Sequence, residues 1–433
     1  MIVFRGCQYE RFSFDIEFWR LRLYNLHKGQ RKFNRAHFRG GGTQMKNRVG
    51  AFLADRLPLR DVEDHLKKPL PKHINWLFSL GSMAAFLLIL QAVTGAFLAF
   101  YYSPSPDHAY DAVNYISKEV AFGGFVRGLH HWGASAMVIV VCLHLLRVVA
   151  YASYKPPREM TWVTGVLMLL VVLGFGFTGY LLPWDQKAYW ATVVGIKIAG
   201  TAPVIGEFVG KVLRGGEEVG AVTLTRFYAL HTIWLPWLAF GLVGVHLFFV
   251  RYYGSAGTSK NSPEDMRSGK PFYPDQLFED AVAILILFVI LAAMAIFIPV
   301  PLEELADPTD ASYDPRPEWY FLFLFQLLKY FEGPLEVVGT FVIPTVGFIL
   351  LLFLPFLDRK EERTSLLKRP VALTVTSLSV ILIVLLTVLG AIAPRLELAP
   401  EQPPAAEGTE PSQGETQEEK SEGDTAVFDF GLD

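Results

Sequence analysis

Seven stretches of this chain are apolar for long enough to cross a bilayer as helices, and no other feature narrows its possible folds so far. They run approximately from Trp76 to Tyr101, Phe122 to Tyr151, Trp162 to Leu182, Phe227 to Tyr253, Phe278 to Ile298, Val337 to Phe356 and Val371 to Ile392. At 1.5 Å of rise per residue, about 20 apolar residues cover roughly 30 Å of hydrocarbon. Of the 433 residues 52 % are hydrophobic and only 19 % charged, which excludes an ordinary soluble domain of this length. The expected fold class is an all-α integral membrane protein with seven transmembrane helices.

Where Lys and Arg collect sets the orientation, because cytoplasmic loops are enriched in them. Lys155 and Arg158 lie between runs two and three; Arg251, Lys260, Arg267 and Lys270 between four and five; Arg359, Lys360, Arg363, Lys368 and Arg369 between six and seven. These three loops are expected on the cytoplasmic, negative (n) side of an inner plasma membrane. The loop with Asp107, Asp111 and Glu119, the long segments after runs three and five, and the C-terminus then face the positive (p) side. The net charge of −3, with basic residues spread over loops, gives no nucleic-acid surface. Cys7 and Cys142 form no disulfide framework, and no CxxCH is present to attach a c-type haem.

The two ends read differently from the middle. Residues 1–44 are basic and aromatic without the apolar core of a signal peptide, and are expected to be a disordered extension or one not translated at all. Met45 is the expected start, since the run Gly40, Gly41, Gly42 is what a purine-rich ribosome-binding site would encode. Residues 45–66 mix Phe, Leu and Val with many charges, as a helix lying along the cytoplasmic interface would, although a solvated helix has the same composition. Residues 395–433 are rich in Glu, Pro, Gly and Ser and are expected to be a disordered acidic tail.

Chemistry is concentrated in four histidines. His130 and His144 lie 14 residues apart in the second run, and His231 and His246 lie 15 apart in the fourth. At about 100° per residue these steps leave each pair roughly 40° and 60° out of alignment, so each pair shares a helix face, with about 21 Å of rise between its members. That is the geometry of two stacked haems, each held by two imidazoles: His130 with His231 near the p surface, His144 with His246 near the n surface. His131 sits about 140° off the shared face and is excluded as a ligand. A single intramembrane histidine is most often a packing residue, but four at matched spacings are not explained that way. Gly81 and Gly95 in the first run, and Gly165 and Gly179 in the third, are also 14 apart and would let a flat macrocycle approach the backbone at both levels. Arg127, Arg147, Arg226 and Arg251 bracket the histidines, where propionates need cations, and also where helix-end arginines commonly snorkel.

The stretches GLHHWGAS, TWVTG, GYLLPWDQ, APVIG, LTRFYALHTIWLP and PRPEWYFLFLFQLLKYF together resemble cytochrome b of cytochrome bc complexes, over residues 46–394. The 15-residue spacing and PWDQ are similar to the b6 type, in which the first four helices form one polypeptide and the last three a separate subunit IV. Here the two are joined. The resemblance implies a four-helix haem-binding bundle (67–253), a cytoplasmic linker (254–276) and a three-helix subunit IV-like part (277–394).

It also implies a respiratory quinol:cytochrome c oxidoreductase subunit, with two non-covalent b-type haems and quinol/quinone as substrate. In the family, quinol is oxidised at a p-side site; one electron passes to a Rieske iron-sulfur protein and the other through the two b haems to an n-side quinone site, coupled to proton translocation. Partners implied are that Rieske protein, a c-type cytochrome and a second copy of the chain. By the resemblance Glu318, within Pro317-Glu318-Trp319-Tyr320, accepts a quinol proton, and Tyr180, Pro183 and Trp184 form a wall of the pocket. The chemistry agrees, because quinol cannot release electrons in an apolar pocket without a destination for its protons. Arg251 and Asp280 are candidates for protonating quinone on the n side. Ser79 stands where b6-type chains carry the cysteine that attaches an extra haem, which argues against covalent attachment here. Two other classes share some of these features: a two-haem anchor that only conducts electrons, and a transporter with buried histidines. The anchor has no use for PEWY or three further helices, and the transporter would hold no haem.

Overall fold

A computed structural model describes residues 70–71, 74–254, 269–310, 313–314, 316–358 and 366–393. The expected N-terminal extension, the interfacial helix, linker residues 255–268 and the acidic tail lie outside the described residues. Apart from Pro271–Tyr273, the described residues fall in one compact unit, Pro69–Lys270 with Pro274–Asp433.

That unit is helical, with an isolated bridge between Asp185 and Leu305. The helices are α1 (Leu80–Ala99), α2 (Ala109–Lys118), α3 (Gly123–Ala150), α4 (Glu159–Tyr180), α5 (Gln186–Gly200), α6 (Gly206–Arg214), α7 (Ala221–Tyr253), α8 (Leu277–Phe297), α9 (Leu322–Leu328), α10 (Ile343–Leu352) and α11 (Pro370–Ile392). Seven are long and apolar enough to cross a membrane: α1, α3, α4, α7, α8, α10 with its preceding turns, and α11. The fourth span begins at Ala221 rather than Phe227, because its first turns carry Thr223, Thr225 and Arg226 and lie outside the apolar window.

Apolar surface gains little by leaving lipid, so these helices associate through close packing and small residues. Helix α3 is the hub. It packs on α1 and α8, where Leu87, Leu129, Met137, Val140 and Leu291 form one buried cluster. A Cβ built on Gly128 would stand 2.8 Å from Ala295 Cβ, so α3 and α8 approach backbone to backbone. Helix α4 packs on α7 and α10, and α9 on α11. The fifth and sixth spans therefore pack on the first four, and the seventh packs on α9.

At the end of the bundle carrying His144 and His246, a polar cluster ties the α3–α4 loop to the chain between α10 and α11. Arg369, 8 % exposed, donates to Tyr154 Oη at 3.2 Å and to the carbonyls of Val149 and Ala150. Tyr154 Oη donates to Asp358 Oδ2, and Lys155 Nζ pairs with Asp358 Oδ1 at 3.0 Å. Burial pushes the Asp358 carboxyl upward, but the bonds from Tyr154 and Lys155 and the Arg369 charge outweigh it and hold it below the usual carboxylate range.

Candidate functional site

Helix α3 runs unbroken through His130 and His144. Helix α7 does not run unbroken. Leu230–Trp234 form a π turn in which Leu235 N bonds to Leu230 O, five residues back. The cause is Pro236, which has no N–H to donate and whose ring crowds the carbonyl four residues earlier. A π turn absorbs one extra residue. His231 lies inside this one, so 15 residues on α7 cover the register that 14 cover on α3.

The rings of His130 and His231 stand 6.3 Å apart between centroids and 71° apart in plane. Two imidazoles sharing one metal through Nε2 at about 2.0–2.1 Å place their centroids a little over 6 Å apart, so this pair is spaced for a common metal. At the other level His144 and His246 are electrostatic neighbours.

Each ring rests on a glycine. A Cβ at Gly95 would lie 3.1 Å from His130 Cε1, at Gly81 3.3 Å from His144 Cε1, at Gly165 3.4 Å from His246 Cε1, and at Gly179 2.6 Å from His231 Cε1. The four glycines thus give room to the imidazoles themselves, beyond the macrocycle clearance expected from sequence. Three are preceded by a threonine that holds the same ring. Thr94, Thr178 and Thr164 stand 2.9, 3.0 and 3.1 Å from Nδ1 of His130, His231 and His246. Each hydroxyl donates its single proton to a carbonyl four residues back in its own helix. It can therefore only accept from the ring, which fixes the proton on Nδ1 and leaves Nε2 free to ligate. Leu80 precedes Gly81 instead, and His144 Nδ1 faces Arg147 Nη2 at 3.4 Å.

No group of three or more His, Cys, Asp or Glu side chains converges among the described residues. A metal held by two imidazoles must bring its remaining ligands with it, as porphyrin iron does. Arg147 fits a propionate: its guanidinium lies 4.4 Å over the Phe78 ring, and Nε is buried without a partner. Arg127 donates to Ser117 and to the carbonyls of Val300 and Pro301, while Arg226 bonds the Lys211 and Val212 carbonyls at the end of α6.

Glu318 has extended backbone, φ −57° and ψ 153°, immediately before the short turn Trp319–Phe321 that leads into α9. Two contacts dock that turn beside the His130/His231 level. Trp319 Nε1 donates to Ser135 Oγ on α3 at 3.3 Å, and Tyr320 Oη donates to the Gly176 carbonyl on α4 at 3.4 Å. Tyr180 packs with Phe177, which also meets Phe321 edge to face. Pro183 and Pro317 are half-buried. Trp184 packs on Ala109, Tyr189 and Leu224, so its indole holds the turn after α4. A cavity of about 380 Å³ between α5 and α9, lined by Val194, Lys197, Ile198, Leu328 and Phe331 among others, includes none of the expected pocket residues.

Asp185 and Gln186 join that turn to the chain leading toward Glu318. Asp185 accepts from Ala188 N at 2.8 Å and from Glu303 N at 3.1 Å, and Gln186 exchanges bonds with Glu304 and Asp307. Burial raises the Asp185 carboxyl against those two N–H bonds. Directly after them Lys187 Nζ meets Glu318 Oε1 at 2.6 Å, a partner the sequence did not reveal. Of the residues considered for the n side, Asp280 is buried and accepts from Ser82 Oγ and Gln276 Nε2 at 2.7 and 2.8 Å. Gln276 Nε2 also reaches Ser79 Oγ at 3.4 Å. Arg251 lies in the last turn of α7.

Comparison with known proteins places this arrangement. The family described as cytochrome b/b6/petB matches residues 65–254, and the cytochrome b (C-terminal)/b6/petD family matches residues 305–399. A cytochrome bc complex cytochrome b subunit from Chlorobaculum thiosulfatiphilum is 37 % identical over 313 residues, 71 % of this chain and 73 % of the relative. The menaquinol:cytochrome c reductase cytochrome b subunit of Bacillus subtilis is 43 % identical over 225 residues, 49 % of this chain and 99 % of the relative. A chain of a hyperthermophilic respiratory Complex III superimposes with a TM-score of 0.72 at 28 % identity, over 79 % of this chain and 91 % of that one. With both halves matched and a relative 37 % identical over most of its length, the chain belongs to the cytochrome b/b6 family.

Proposed function

We infer that this chain is the quinol-oxidising cytochrome b subunit of a respiratory bc-type quinol:cytochrome c oxidoreductase. The observation that carries the reading is the docking of the Glu318 turn on α3 and α4 beside the His130/His231 pair, which joins a proton acceptor to a redox level. His130 with His231, and His144 with His246, would each hold one b-type haem. When bound, the two haems supply one-electron redox centres near the two membrane surfaces. The chain's own residues do the rest. Threonine hydroxyls orient the imidazoles, and Arg147 offers a cation to a propionate. Tyr180 and Tyr320 lie beside the carboxylate, and Pro317 and Trp319 flank it in the chain. Glu318 takes a proton from a quinol hydroxyl as the quinol is oxidised.

The partners that follow are a Rieske protein, a c-type cytochrome and a second copy of this chain. Only 6 % of the α7 window is buried, which suits a helix that meets such a partner or lipid. The basic loops support a cytoplasmic position for the His144/His246 end at a plasma membrane, with Asp280, Ser82 and Gln276 as candidates at an n-side quinone site. Quinol:cytochrome c reductase activity of the purified complex tests the reading, with the Glu318→Gln variant beside the wild type. Loss of activity with both haems retained is expected. Two haems and undiminished activity in the variant would leave only an electron conduit.

A further inference from the structure

The Lys187–Glu318 ion pair joins two sequence-distant segments at the candidate quinol site. Its charged atoms lie 2.6 Å apart, and the side chains are 26 % and 18 % exposed. Lys187 lies in the first turn of α5, directly after Asp185 and Gln186, whose bonds to residues 303–307 fix that turn against the chain leading to Glu318. The ammonium is therefore anchored on the same scaffold as its partner. Other charged or titratable groups face the pair from every side. From α3 these are His131, in the field of Glu318, Lys187 and Arg127; from α4 Tyr180; from the Glu318 turn itself Tyr320; and from the start of α5 Asp185.

A carboxylate that must receive a proton has to be ionised when the quinol arrives. In a largely apolar pocket desolvation favours the neutral acid, which cannot accept. An ammonium in contact offsets that cost, and it also fixes where the carboxylate points. Protonation removes the charge on Glu318, and the remaining hydrogen bond to a neutral carboxyl is weaker than one to a carboxylate. We propose that Lys187 is a positioning residue for quinol oxidation, whose ammonium holds and aims the Glu318 carboxylate until the proton arrives and then releases it. In that step a quinol O–H bond breaks and a Glu318 O–H bond forms; the proton alone crosses, and the neutral carboxyl is free to turn toward water. The proposal rests on Glu318 being the proton acceptor.

The test is the pH dependence of quinol:cytochrome c reductase activity in the purified complex, from about pH 5 to 9, for wild type, Lys187→Met, Lys187→Arg and Glu318→Gln, with haem content measured on each. Loss of Lys187 should move the acid limb of the profile to higher pH by about one unit or more, at wild-type haem content. Lys187→Arg, which keeps the charge, should leave the limb in place, and Glu318→Gln should be inactive throughout. A Lys187→Met profile that superimposes on wild type, or is only scaled down, overturns the proposal while the inactive Glu318→Gln leaves the role of Glu318 standing. Full activity in Glu318→Gln overturns both. Should Lys187→Met fail to retain haem, Lys187→Gln carries the same comparison with a polar side chain.

Discussion

The imidazoles and the carboxylate of this chain are held in opposite ways. Each histidine projects from a long helix and rests against a glycine, and three of the four are fixed at Nδ1 by a threonine whose own proton is already committed. Glu318 sits on extended backbone before one short turn, and a single ion pair holds its carboxylate. The difference suits the work proposed for each. A redox level must keep its geometry through every turnover, so its ligands are locked by packing and by bonds to their far nitrogen. A proton acceptor must serve a pocket and then water, so it is tied by an interaction that its own protonation dissolves.

The sharpest way to break the rigid side is His231→Leu, which removes a proposed ligand and should lower pyridine-haemochrome content from the proposed two haems per chain to one. Gly179→Val should do the same without touching a histidine, because its Cβ would stand 2.6 Å from His231 Cε1, whereas Gly241→Ala, with nothing within 4 Å, should keep both haems. On the mobile side, Glu318→Gln should cut quinol oxidation by about 10²-fold or more while the haem spectrum is unchanged. Thr178→Ala leaves all ligands in place and removes only the orienting bond, so haem at the His231 level should bind about 10-fold more weakly, read by titrating haem into depleted complex. The smallest effect lies away from both. Asp358→Asn should lower stability by about 1 kcal/mol in thermal unfolding near neutral pH. Because the folded Asp358 carboxyl lies below its ordinary range, its contribution is present above that range and lost as pH falls through the folded value. The gap between wild type and variant should therefore close below about pH 4.

Much of this was legible in the sequence because it depends on local periodicity. Seven apolar runs gave seven spans, and the spacing of His130 and His144 needed nothing but a regular helix. The 15-residue spacing of His231 and His246 was legible only in part. On a regular helix it leaves the pair on one face but roughly 60° out of line, and Pro236, which follows the π turn that restores the register, was the signal that could have refined it. The Thr-Gly pairs at 94–95, 164–165 and 178–179 are likewise visible once the glycines are known to face imidazoles, while the fourth glycine follows Leu80 and breaks the pattern. Helices α2, α5, α6 and α9 escaped a search for spans because each is shorter than a membrane crossing. Lys187 was hidden for a deeper reason: 131 residues separate it from Glu318, and only the packed turns bring them together. Arg226, expected to face a propionate, has its guanidinium on carbonyls at the end of α6, a contact that no local pattern encodes.

The most direct measurement is the visible spectrum of the purified complex mixed with quinol, followed through a single turnover in wild type and in Glu318→Gln after a redox titration has counted the haems. Two b-type haems in both proteins, with rapid quinol-driven haem reduction in wild type alone, is the expected result. Equal rates in the two proteins, or fewer than two haems in the wild type, would contradict the assignment of Glu318 and of the paired histidines respectively.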